Sequence, residues 1–141
     1  MIHSTKYKSL ETEFNDTIIF FFFFSVAPMI WIPNQLIGAA LGNDVTLECI
    51  TEAMPKAISY WVYNTTMVMT SGRFRTHEHH HSNYKLDLKL HIKNISKGDF
   101  GQYKCLSKNS HGDNEGTIML YGNYRVDLIL NNFNFSSGLP F

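Results

Sequence analysis

The run His77-Glu78-His79-His80-His81 is the densest concentration of metal-capable side chains in this 141-residue chain. On an extended backbone His77 and His79 fall on one face, because successive side chains alternate sides. Two imidazoles so placed suit zinc or copper. The run is not H-E-x-x-H, whose second histidine must lie one helical turn on, and nothing around it has a helical pattern. The expectation is therefore a solvated loop between two strands, with no metal and no cofactor. Imidazoles titrate near pH ~6.5, so a pH-sensitive contact is the other chemistry such a loop offers.

Four N-x-S/T sequons offer a second chemistry, glycan attachment, at Asn15, Asn64, Asn94 and Asn134. Asn64 follows the stretch around Trp61, and Asn94 follows Leu86 to Ile92; both read as surface turns that accommodate a glycan. Asn15 and Asn134 fall in atypical ends of the chain. Serine, histidine and acidic residues are scattered without a nucleophile elbow, and no glycine loop suits a phosphate, so no catalytic site is expected. Twelve basic and twelve acidic residues balance at a pI near 7.1. That balance speaks against nucleic acid as the main partner and against a polybasic membrane patch. Cys49 and Cys105, taken alone, are two free thiols, a coincidental pair or one disulfide. No histidine at ligand spacing adjoins either, which argues against a structural zinc site.

Both ends read differently from the middle. Ile18 to Phe24 is apolar but short of the roughly 20 residues a membrane span needs. The stretch before it mixes Lys6 and Lys8 with Glu11, Glu13 and Asp16, where a signal peptide would be net positive. Five consecutive phenylalanines before Ser25 resemble a translated polypyrimidine tract running into a splice acceptor. Residues 1–26 are thus expected to be a non-domain segment, signal-like or a gene-model artefact. Residues 123–141 are rich in asparagine and lack strand periodicity, as a disordered tail would. The last six residues lack the hydrophobic tail that a lipid anchor of the GPI type requires.

Between them, residues 27–122 read as one domain of short strands. Leu86, Leu88, Leu90 and Ile92 alternate with polar residues, giving one dry and one wet side. Val45, Leu47 and Cys49 repeat the pattern, as do Ile118 and Leu120. Turn residues separate the runs at Gly42-Asn43-Asp44, at Ser71-Gly72 and across Asn109 to Asp113. Such spacing describes a two-sheet antiparallel β-sandwich.

One constellation narrows the fold further. Trp61 lies twelve residues after Cys49, and Asp99-Phe100-Gly101-Gln102-Tyr103-Lys104-Cys105 leads into the second cysteine. In an immunoglobulin-like sandwich the two cysteines bridge the sheets, a tryptophan packs on the bridge, and a tyrosine two residues before the second cysteine bonds back to the backbone. Tyr103 and Cys105 share a face by strand alternation, which is why the spacing matters. This pattern gives an all-β fold with one inter-sheet disulfide, Cys49–Cys105, and a structural core including Trp61, Leu90, Asp99, Gly101 and Tyr103. The bridge would close 56 residues, a constraint of about 4 kcal/mol, and implies an oxidising compartment. Asp99 is expected to pair with Arg73 or Arg75.

Pro28-Met29-Ile30-Trp31-Ile32-Pro33-Asn34-Gln35-Leu36, Val45 to Cys49, Lys108-Asn109-Ser110 and Gly116-Thr117-Ile118 together resemble the third immunoglobulin domain of the Dpr-interacting proteins and lachesin, relatives of the IgLON family. The resemblance covers residues 27 to 121. It implies a neuronal cell-surface adhesion or recognition protein, with this domain as a membrane-proximal spacer. Its partners would be cell-surface immunoglobulin-superfamily proteins, met through other domains, and its membrane association would come through an anchor outside this chain. An intracellular muscle-filament domain and a secreted immune-type binding protein are the alternative readings. Two departures stand out: the histidine-rich stretch, and Ser59 where an aliphatic residue is expected, with Ile58 displaced by one.

Overall fold

The alternating segments become nine β-strands in the computed structural model, which describes residues 25–123. The expectations placed on Asn15, the phenylalanine run and Asn134 lie outside the described residues. One sheet has four strands in the order β1 (Val26–Trp31), β3 (Val45–Met54), β7 (Lys85–Ile92), β6 (Phe74–His80). The other has five, in the order β2 (Leu36–Ala39), β9 (Gly112–Gly122), β8 (Gly101–Asn109), β4 (Ile58–Tyr63), β5 (Thr66–Met67). All pairs are antiparallel except β2 with β9, which run parallel. The exception has a simple cause. The chain passes from β1 at the edge of one sheet to β2 at the edge of the other through the Pro33 segment, where proline costs no ladder bond.

Alternation decides what is buried. Leu47, Cys49, Trp61, Leu88, Leu90, Ile92, Tyr103, Cys105, Ile118 and Leu120 form one core cluster with Ala39 and Ile95. Asp87 breaks the expected wet side of β7: it is only 6 % exposed. Gly116 stands opposite Cys105 in the β8–β9 register. A Cβ there would lie 2.5 Å from Ile32 Cδ1 and 2.7 Å from Ile30 Cγ2, so only glycine lets these isoleucines cover that end of the core.

The turns are tighter than the sequence suggests. The Asn109-to-Asp113 loop reduces to Ser110-His111, since Asn109 already pairs with Gly112. Asn64 and Thr65 form a two-residue hairpin with φ of 46° and 65°, the backbone that matches strand twist.

Candidate functional site

The centre of the domain is a staple between sheets. Cys49 on β3 and Cys105 on β8 are fully buried and bonded, with their Cα atoms 6.4 Å apart. Trp61 stands directly opposite Cys105 in the β4–β8 register and is itself fully buried, its Nε1 without a hydrogen-bond partner. Leu90, opposite Leu47, seals the other side.

At one end of the sandwich a polar latch closes over this core. Tyr103 Oη donates to the Asp99 carbonyl at 2.7 Å. Burial pushes the phenol well above its ordinary pKa, so it remains a donor at any physiological pH. A short 3-10 turn, Lys97–Asp99, places the Asp99 side chain under Arg73. The carboxylate accepts from Arg73 at 2.7 and 3.1 Å, from Ser96 N at 2.8 Å and from Ser96 Oγ at 3.1 Å. Burial alone would raise the carboxyl; the Arg73 and Ser96 donors outweigh it and hold Asp99 below the usual carboxylate range. Arg73 also donates to the Lys93 and Asn94 carbonyls, tying the latch to the next turn. Of the two arginines considered, Arg73 makes the pair, whereas Arg75 is exposed on β6 opposite His91. Gly101 enters β8 at φ +142°, where a side chain is strained and a Cβ would sit 3.3 Å from the Tyr63 ring.

Tyr63 is a latch residue that reading the sequence overlooked. Its ring stacks on Tyr103 with centroids 4.5 Å apart and planes 18° apart. Its hydroxyl reaches the Gly98 carbonyl at 2.7 Å and the Phe100 carbonyl at 2.9 Å. The signal was present: Tyr63 lies two residues past Trp61, hence on the same strand face. The Ser59 departure also has its reason. Ser59 Oγ lies 2.9 Å from Ser107 Oγ and 3.4 Å from Thr51 Oγ1, a buried hydroxyl ladder between the sheets. Ile58 turns outward and is 75 % exposed.

The predicted surface chemistry lies elsewhere. Asn64 is exposed at the β4–β5 hairpin tip. Asn94, also exposed, has φ 49° and donates its backbone N–H to Asp44 Oδ1. The histidine loop is a correction. His77 to His80 belong to β6, paired with β7 from Phe74↔Ile92 to His80↔Leu86. The backbone ladder to β7 imposes extension on residues whose own strand preference is weak. His77 and His79 face outward with Lys89 and Asp87, and His80 falls on the opposite side beside Glu78 at 3.6 Å.

The two outer faces differ in chemistry. The four-stranded face carries ion pairs from Lys85 to Glu52 and from Lys89 to Glu48 and Asp87, at 3.3–3.5 Å. The neighbouring carboxylates, Asp87 foremost, raise the Lys89 pKa. The five-stranded face exposes Leu36, Ile58 and Met67 around one ion pair, Lys104–Glu115. Of the two, the apolar five-stranded face has the chemistry that suits protein contact.

The immunoglobulin I-set domain family matches residues 28–121. Neuronal cell adhesion molecule of Mus musculus is 35 % identical over 77 residues, which are 55 % of this chain and 6 % of that protein. Lachesin of Drosophila melanogaster is 26 % identical over 95 residues, 67 % of this chain and 26 % of lachesin. The chain thus spans about a quarter or less of these curated relatives. Among solved structures, a chain in the crystal structure of Dpr2 Ig1-Ig2 in complex with DIP-Theta Ig1-Ig3 is similar at TM-score 0.67 and 47 % identity, over 70 % of this chain and 33 % of that one. A titin fragment is similar at TM-score 0.60 but 18 % identity, over 69 % of this chain and 32 % of the fragment, a likeness of fold alone. Staple, tryptophan, tyrosine latch and family match agree: the chain belongs to the immunoglobulin I-set family and resembles neuronal cell-adhesion proteins.

Proposed function

We propose that this domain is one link of a neuronal cell-surface adhesion or recognition protein, acting by protein–protein contact as a membrane-proximal spacer and not by catalysis. The observation that carries the reading is the 47 % identity to a chain of the Dpr2–DIP-Theta complex, of which it matches one third. One third is the share expected of one domain in a chain of three. On this reading residues 27–122 are the domain, and 1–26 and 123–141 are flanking segments. Partners are other cell-surface immunoglobulin proteins, reached through further domains of the whole protein.

Two structural features support an extracellular setting over the muscle-filament alternative. The bridge between Cys49 and Cys105 needs an oxidising compartment to persist. The sequon asparagines Asn64 and Asn94 are exposed, and on this reading both carry N-glycans. The test is a surface-binding assay of the full chain against a panel of immunoglobulin-superfamily ectodomains. A spacer shows no nanomolar binding on its own. Nanomolar binding to any of them contradicts the spacer role.

A further inference from the structure

We propose that the end of β6 carries a two-histidine chelate, His79 on the strand and His81 just past it, for a borderline divalent transition ion such as Cu(II) or Zn(II). The two rings meet edge to face across the end of the strand. His79 is held in the ladder opposite Asp87, and the His81 N–H donates to the Lys85 carbonyl at 3.0 Å. Both backbones are therefore fixed before any ion arrives. The rings lie with centroids 4.6 Å apart and planes at 83°. An ion about 2.0–2.1 Å from an imidazole nitrogen sits about 3.2 Å from that ring's centre, so two ligands at roughly 90–110° place their centres about 4.5–5.2 Å apart. The observed separation falls in that window. Rotation about χ2, a soft sp³–sp² torsion, turns the nitrogen edges without moving the strand.

The surroundings suit a cation. Asp87, cross-strand from His79, has a side chain only 9 % exposed. Its Oδ1 is buried without a hydrogen-bond partner, so an acidic side chain lies across the strand pair from His79 and favours a cation there. The nearby lysines are already paired, Lys85 with Glu52 and Lys89 with Glu48 and Asp87. Among the described residues no three metal-capable side chains converge, so the remaining coordination positions belong to water. A ligand set of neutral imidazole and water follows the order in which copper binds more tightly than zinc.

His80 makes the proposal specific. A flexible histidine tract would use any two of its rings, whereas β6 turns His80 to the other face, next to Glu78. The experiment titrates the full chain with Cu(II) and with Zn(II) by calorimetry, alongside His79→Ala, His81→Ala and His80→Ala. Each variant's fold is checked by its thermal transition. Expected are one ion per chain, affinity reduced by more than about tenfold for His79→Ala and for His81→Ala, and little change for His80→Ala. The ion should also raise the melting temperature, because the folded strand binds it better than the unfolded chain. Equal losses from all three variants, or binding without any thermal shift, overturn the proposal.

Discussion

Strands β8 and β6 are built by the same pairing rules and end with opposite roles. β8 runs inside the five-stranded sheet, and its inward Tyr103, Cys105 and Ser107 are at most 1 % exposed. β6 lies at the edge of the four-stranded sheet and buries none of its seven residues. Each inward side chain of β8 has a defined partner: the Asp99 carbonyl, the Cys49 sulfur, the Ser59 hydroxyl. Beyond Thr76, β6 is held chiefly by its backbone ladder to β7, which leaves its outer side chains available. The fold is secured on the first strand, and surface chemistry is carried on the second.

The contrast is sharpest in how much each strand tolerates. Replacing both bridge cysteines, Cys49→Ala with Cys105→Ala, should lower stability by about 4 kcal/mol, read by urea unfolding. A loss below about 1 kcal/mol would mean that packing around Trp61 holds the sheets together without the staple. Asp99→Asn should cost about 2 kcal/mol near neutral pH, since it removes charged hydrogen bonds to Arg73 and Ser96.

The same variant has a pH signature. Asp99 is held below its ordinary pKa in the folded state, so its contribution is present above the unfolded value and fades as pH falls through the folded one. The gap between wild type and Asp99→Asn should therefore close below pH about 4. A gap constant down to pH 2 contradicts the ion-pair account. Tyr103→Phe should cost about 1–2 kcal/mol by leaving the buried Asp99 carbonyl without its donor. At the small end, His79→Ala on β6 should change metal-free stability by less than about 0.5 kcal/mol. A larger loss would show that β6 is more than a ladder partner.

The same contrast explains what could be read from the sequence. Buried positions announce themselves through period-two alternation, so Leu47, Leu88, Leu90 and the cysteine–tryptophan–tyrosine spacing point directly to the sandwich. Exposed strands carry no such signal. The histidines of β6 read as a loop because nothing apolar alternates with them, and their extension is imposed by β7. The parallel β2–β9 pair was equally hidden, since it depends on where the chain crosses between sheets. Tyr63 and the Thr51–Ser59–Ser107 ladder were missed for another reason: their partners are distant in sequence. The choice of Arg73 over Arg75 needed side-chain direction, which sequence spacing left open.

The disulfide-stapled immunoglobulin module is proposed to work outside the cell. Non-reducing peptide mapping of the native protein, by mass spectrometry, tests it most directly. The account predicts one linked peptide pair containing Cys49 and Cys105, present in essentially every molecule. Recovery of both cysteines as free thiols would contradict it and favour an intracellular setting.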